Sequence, residues 1–414
     1  MNKLIGNAVV GQSGGPTAAI NATLGGVIRG ALSGAGKDCI RTLYGMKNGV
    51  EGLLAENLVD LSALFAGDEK KLLELAHTPA AAPGSWRKKL PVPGADNAVY
   101  EKLLAIFRKY DIRYFFYIGG NDSMDTVAKL SAYTKNQNYE MRIMGVPKTI
   151  DNDLLATDHT PGFGSAAKYI ATSMAEIIRD CAVYTVPAVT IVEIMGRDAG
   201  WLTASAGIGL ALGLPTPDFI YLPERAFDKA QFFADVRAAL SRHPNVVIAV
   251  SEGVRFADGT YVCEGFGSAH VDVFGHKQLS GTGKALEYAV KDEIGCKVRS
   301  VELNILQRCA SHIASATDIE ESLGIGAAAV DAAVSGVSRQ MMIFVRESTD
   351  PYRIRIESSD VSKIANGIRT VPENFINPQG NHITKECAAY LLPLIRGESA
   401  PAYRDGMPVF FTIS

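Results

Sequence analysis

The sequence predicts an α/β fold with mainly parallel sheets, on three observations. Short, unbroken apolar runs recur along the chain, and each is followed by a loop and then by a longer helical pattern. Unbroken runs, as opposed to alternating ones, mark strands covered by helices on both faces. The 40 glycines cluster in short loops after those runs. Finally, 414 residues with 47% hydrophobic content are enough for two or three domains with a sizeable core.

The elements follow in order. IGNAVVGQ (5–12) reads as a first strand and PTAAINATLGGVIRGAL (16–32) as its helix. YFFYIGG (114–120) is a buried strand, and DSMDTVAKLSAYT (122–134) is the helix after it. RIMGVPKTID (142–151) is a third strand with its exit loop. AVTIVEIMGR (188–197), FIYLPE (219–224) and NVVIAVSEG (245–253) repeat the pattern. Strand, loop and helix repeated this often argue for parallel βαβ units. Residues 67–95, with several Pro and Gly, read as an excursion near a site, and HTPGFGS breaks the pattern near residue 160. The last 70 residues read as a strand (Met341–Arg346), a polar segment (350–380) and a helix (381–396).

Composition narrows the classes of function. A formal charge of −3 offers no global field for nucleic acid or an anionic membrane, so neither is expected as a partner. The six cysteines (Cys39, Cys181, Cys263, Cys296, Cys309, Cys387) form no CxxC pair and read as buried free thiols in a reducing cytosol. There is no HExxH, no run of about 18 apolar residues and no secretory leader pattern, so a cytoplasmic protein is expected.

Ligands of open α/β sheets bind beyond the carboxyl ends of the strands. Three loops fall there. In GQSGGPTAAIN, Gly14 and Gly15 would let backbone N–H groups approach a phosphate at a helix start; a tight turn is the alternative. In GGNDS, Gly119 and Gly120 could do the same, while Asn121, Asp122 and Ser123 also read as a helix cap. PKTIDND (147–153) is the most informative. Asp151 and Asp153 flank Asn152 and suit Mg²⁺ binding and proton abstraction, and Lys148 suits a phosphate; a charged surface turn is the alternative. LSGTGKALE (279–287) looks like a nucleotide loop, but Gln278 stands where a Walker loop needs Gly, so a helix start is expected. From the charge run WRKKL (86–90), Arg87 is retained as a phosphate contact.

In order, GGP (14–16), GSWR (84–87), GGNDS (119–123), PKTIDND (147–153), MGR (195–197), SEG (251–253) and LQR (306–308) resemble the phosphofructokinase family over about residues 5–330. The resemblance is closest to its pyrophosphate-dependent branch. It implies two Rossmann-like three-layer domains with the active site in the cleft between them. Residues 1–160 would bind the phosphoryl donor, joined by part of 310–345. Residues 161–309 would bind fructose 6-phosphate, and 346–414 would be an extension packed on both. ATP-using relatives have glycine at the positions of Asp122 and Lys148. Asp122 would fill and repel the room that the α-phosphate and adenosine need, and Lys148 would serve a shorter polyphosphate.

The resemblance assigns roles residue by residue. Asp151 is the general base, Lys148 supplies charge, and Asp153 positions the base or Mg²⁺, with Asn121 at the metal. Gly14, Gly15, Arg87, Gly120, Asn121, Asp122 and Ser123 face the donor. Thr149, Met195, Gly196, Arg197 and Glu252 face the sugar, and Arg299 and Arg308 grip its 6-phosphate. Ile305 and Ala188 stand where relatives carry other groups, so Lys284, Tyr352 and Arg353 join the expected grip. Pyrophosphate and fructose 6-phosphate are the implied substrates, Mg²⁺ the implied cofactor and a homodimer the implied assembly. The alternatives are an ATP-dependent 6-phosphofructokinase and a non-catalytic phosphosugar-binding regulatory subunit. A nicotinamide-dependent oxidoreductase would need GxGxxG after the first strand, where the chain reads GQSGGP.

Overall fold

The computed structural model describes residues 3–413 apart from 95–96, 267–269, 272–276, 279–280 and 366. Two sheets organise the chain. The larger runs Tyr352–Asp360, Gln340–Thr349, Arg142–Pro147, Ile112–Gly119, Gly6–Gln12, Ile40–Met46, Leu58–Asp60 from edge to edge. Its inner pairs are parallel, and only the two edge strands run antiparallel to their neighbours. The smaller sheet, Lys297–Glu302, Ala188–Ile194, Asn245–Ser251, Phe219–Tyr221, is parallel throughout.

Both sheets are covered on both faces, as the unbroken apolar runs require. Within Ile112–Gly119, Tyr114, Phe116 and Ile118 enter one core while Ile112, Phe115 and Tyr117 enter the other. Within Ala188–Ile194, Val192 and Ile194 face one core and Val189 and Ile191 the opposite one. Each such side chain contributes about 1.5–3 kcal/mol by leaving water.

One helix crossing sets the first loop. Helix Ile20–Leu32 packs on Ala316–Val334 where Gly26 and Gly326 meet. A Cβ on Gly26 would lie 2.9 Å from the Gly326 Cα and would collide with the Leu323 carbonyl. The second helix also reaches toward the smaller sheet, because the Asp318 carboxylate accepts from the N–H groups of Gly162 (2.9 Å) and Ser165 (3.0 Å).

The chain departs from expectation in four places. The first helix begins at Ile20, not at Pro16. The polar segment after residue 350 contains a strand, because YRIRIESSD alternates: Ile354 and Ile356 turn to the core while Arg353, Arg355 and Glu357 turn out. The expected C-terminal helix shortens to Lys385–Leu391 with a 3₁₀ turn over Leu392–Ile395. All six cysteines are free, but Cys263 and Cys296 are half-buried and Cys309 is exposed. No helix among the described residues is long and apolar enough to cross a membrane.

Candidate active site

The carboxyl ends of both sheets open onto one cleft of about 430 Å³, an ordinary size for a small-molecule site. Its lining brings together the three loops singled out from sequence with the MGR and SEG turns: Gly14, Gly15, Arg87, Gly120, Asn121, Asp122, Ser123, Lys148, Thr149, Asp151, Asp153, Arg197 and Glu252.

The floor is the loop after strand Arg142–Pro147. Lys148 keeps the ladder going by donating its backbone N–H to Gly119 O (3.0 Å), and its buried Nζ donates to Gly15 O (2.5 Å). Lysine thus ties the third loop to the first. Thr149 Oγ1 accepts from the Asp151 N–H (3.1 Å) and Thr160 Oγ1 donates to Thr149 O (2.8 Å), which shapes the turn. Asn152 adopts φ 55°, a left-handed conformation uncommon for a non-glycine residue, and this projects Asp151 and Asp153 into the cleft on either side of it.

Burial in this floor shifts every charge. It lowers the Lys148 ammonium to about 8; the Asp151 carboxylate opposes that shift, and the Arg87 and Arg308 guanidinium groups add to it. Burial raises Asp151 above the ordinary carboxylate range, against the pull of Lys148 and Arg197. Burial, then the neighbouring charge of Asp151, raises Asp153 to about 7. A carboxylate poised near neutrality is a competent proton acceptor for an alcohol.

The donor wall is built from glycine turns. Gly14 has φ 80°, and a Cβ there would meet Lys148 Nζ at 3.3 Å. A Cβ on Gly15 would meet Arg308 Nη1 at 3.2 Å and Arg87 Nη2 at 3.5 Å, so two guanidinium groups stand over the first loop. Arg308, expected to grip the 6-phosphate, stands over the first loop. Ser123 Oγ tucks under Gly119. The cap alternative for Asn121–Ser123 is not realised: the cap position is Gly120, and the Asn121 side chain reaches out of the helix to Gly367. Asp122 forms an ion pair with Lys89 at 2.9 Å. Lys89 was missed within the WRKKL run, although in an extended stretch it shares a side with Arg87.

The opposite wall comes from the smaller sheet. Gly196 turns at φ 136°, and its N–H donates to Glu252 Oε1 (3.3 Å) while Ser251 Oγ donates to its carbonyl (2.5 Å). Burial raises the Glu252 carboxyl to about 8, with the Gly196 N–H opposing. Met195 is held through its N–H to Gln307 Oε1 (3.3 Å), with its side chain against the core. Arg197 lines the cleft, and its buried Nε has no hydrogen-bond partner among the described residues. Asp198, not weighed from sequence, also lines the cleft and is ion-paired with Arg255 (2.6 Å).

Four expected grip residues do not line this cleft. Arg299 is exposed on the edge strand of the smaller sheet. Lys284 is ion-paired with Glu287 (2.8 Å) on an exposed helix face. Tyr352 donates to Glu321 (2.7 Å) beneath the Arg346 guanidinium, and strand alternation turns Arg353 outward. The start of GTGK is a helix N-terminus, as expected, and residues 279–280 of that stretch lie outside the described ones. The Gly281 and Gly283 N–H groups are taken by the Glu193 carboxylate, at 3.1 and 2.7 Å.

The cleft also holds donors suited to a hard cation. Asn121 Nδ2 donates to Gly367 O (3.0 Å), which leaves its buried Oδ1 without a partner among the described residues. Asp153 supplies a carboxylate in the same cleft. No group of three or more His, Cys, Asp or Glu suited to a metal exists among the described residues. A cation here would rest on one or two protein oxygens, water and a phosphate, which is how Mg²⁺ is commonly held.

The chain is similar to known proteins along nearly its whole length. The family model described as Phosphofructokinase matches residues 7–333. The pyrophosphate–fructose 6-phosphate 1-phosphotransferase of Xanthomonas campestris is 43% identical over 99% of this chain and 96% of its own length. The protein of the same name from Halomonas elongata is 40% identical over 97% and 94%. The crystal structure of a pyrophosphate-dependent phosphofructokinase from Nitrosospira multiformis superposes with a TM-score of 0.87 at 38% identity, covering 98% of this chain and 96% of that one.

Proposed function

The chain belongs to the phosphofructokinase family, and from that premise we propose that it reversibly transfers a phosphoryl group from pyrophosphate to the 1-hydroxyl of fructose 6-phosphate. The products are fructose 1,6-bisphosphate and orthophosphate. The observation that carries the choice of donor is the floor of the cleft: buried Lys148 and the Asp122–Lys89 pair occupy the space where an ATP-using site has glycines.

The 1-hydroxyl oxygen attacks the terminal phosphorus of pyrophosphate in line with the bridging oxygen. The new C–O–P bond forms as the bridging P–O bond breaks, and orthophosphate leaves. Asp151 accepts the hydroxyl proton, and its raised affinity for protons suits that task. Phosphoryl transfer needs positioning and charge neutralisation more than covalent help. Lys148, Arg87 and Arg308 surround the pyrophosphate with positive charge, and Gly14, Gly15 and Gly120 admit it close to the backbone. Thr149, Met195, Gly196, Arg197 and Glu252 hold the sugar. Mg²⁺, held by Asn121 Oδ1 and Asp153, would spread the developing negative charge of the phosphates.

Asp122 selects by volume more than by charge, because Lys89 already neutralises it. The enzyme acts in the cytoplasm as a homodimer. An uncovered edge of the smaller sheet supports the assembly: strand Lys297–Glu302 is flanked by exposed Val183, Tyr184 and Val186, and Arg299 on that edge is open to a neighbouring copy. The test compares turnover of fructose 6-phosphate with MgPPi and with MgATP, with Asp151→Asn as control. Turnover with pyrophosphate alone, lost in the variant, supports the proposal. Turnover with ATP alone overturns the donor assignment, and none with either moves the protein to a regulatory role.

A further inference from the structure

The segment 367–371 lies beyond residue 333, where the family match ends, and belongs to the stretch expected only as a polar run. It touches the 119–123 loop, the 151–153 loop and the stretch just past the MGR turn. Gly367 O accepts from Asn121 Nδ2 (3.0 Å) on the donor wall. The Arg369 N–H donates to Asp153 O (2.8 Å), and its Nη1 donates to Asn152 O (3.3 Å) on the floor. The Arg369 carbonyl accepts from Trp201 Nε1 (3.0 Å), and its guanidinium stacks 4.2 Å from the Trp201 ring, just past the MGR turn. Its Nη2 donates to the Tyr390 hydroxyl (2.9 Å). Two residues on, the Val371 N–H shares Glu224 Oε1 with the Gly200 N–H, both at 2.8 Å.

We propose that Arg369 is a positioning residue for the phosphoryl-transfer step, acting as the centre of a strap that holds the 151–153 loop against both walls. Asn152 sits in a left-handed conformation, which asparagine tolerates better than other non-glycine residues and which the contacts of Arg369 hold in place. Arg369 grips the backbone carbonyls of this residue and the next from one side, and its own guanidinium is fixed by an aromatic face and a hydroxyl. The reacting oxygen meets Asp151, not Arg369, so the effect passes through geometry. This inference rests on the functional reading above.

The experiment uses the full chain with Arg369→Ala, Arg369→Lys and Tyr390→Phe. With MgPPi and fructose 6-phosphate, Arg369→Ala should lower kcat about 100-fold, as displacement of a reacting group by about an ångström does, with both KM values within about threefold. Added guanidinium ion should restore part of kcat, and Tyr390→Phe should give a smaller loss of the same kind. Hydrogen exchange in the absence of ligands should quicken at amides 150–154 in Arg369→Ala and stay unchanged in strand Ile112–Gly119. An unchanged kcat, or a rise in KM alone, overturns the proposal. So does unchanged exchange at 150–154, whichever reaction the wild-type protein proves to catalyse. If Arg369→Ala does not fold, the same readouts on Tyr390→Phe decide. Wild-type turnover, recorded alongside, judges the functional reading separately.

Discussion

Two strand-to-helix turns of this molecule look alike in sequence and differ in what they can hold. GGNDS opens a 16-residue helix, and GTGK opens a 13-residue one; both bring glycine N–H groups to a helix N-terminus. At the second, the protein fills the site itself, because the Glu193 carboxylate takes the N–H groups of Gly281 and Gly283. At the first, Asp122 turns sideways to Lys89, Lys148 and Arg87 line the cleft, and Arg308 stands beside them over Gly15. A glycine turn is open to a ligand only where no internal carboxylate has already taken its N–H groups, as Glu193 has at the second turn.

Changes at the first turn and its floor should touch catalysis, and changes at the second should not. The largest effect is expected for Asp151→Asn, which keeps the shape and removes the proposed proton acceptor; kcat should fall about 10³-fold, within the range of general-base contributions. A loss under tenfold in steady-state assays would break the assignment of the base.

Asp122→Gly should open the nucleotide space and raise kcat/KM for MgATP by about 10–100-fold, the range that pocket shape alone commonly gives. Unchanged ATP kinetics would remove the reason given for that side chain.

The pH profile sharpens the contrast further. Activity should rise as the floor carboxylates lose their protons, Asp153 at about 7, and fall as Lys148 loses its own near about 8. A bell with its maximum between these values, and its alkaline limb moved upward in Lys148→Arg, is the expected kcat/KM profile.

The smallest catalytic effect belongs to Glu193→Gln, with kcat within about twofold of wild type. The carboxyl of Glu193 is raised by burial to about 7 from an unfolded value of 4.5. The folded state therefore binds more protons than the unfolded state between those values, so stability should decline as pH rises across that window. Denaturant melts at several pH values should show a shallower decline in the Gln variant.

Much of this was readable from residues alone, for physical reasons. Buried parallel strands announce themselves as unbroken apolar runs, and local turns such as PKTIDND keep their chemistry within seven residues. Contacts between residues far apart in the chain leave no local sign. Arg369 meets Asn152 from 217 positions away, and Lys89 reaches Asp122 from a run that looks like a solvated face. Tyr352 and Arg353 lie away from the cleft because YRIRIESSD, within the segment expected to be polar, is a strand whose alternation turns one residue inward and the next outward. Lys284, beside glycines in sequence, is held by Glu287 three residues along the same helix.

The Lys89–Asp122 pair carries one last consequence. An unpaired aspartate would hold off a nucleotide through its field, and at physiological ionic strength that field fades over about 8 Å, so added salt would gradually let ATP in. A neutralised aspartate has little field to screen. Its bulk works the same at any ionic strength, and the preference for the shorter donor should survive unchanged from dilute buffer to brine.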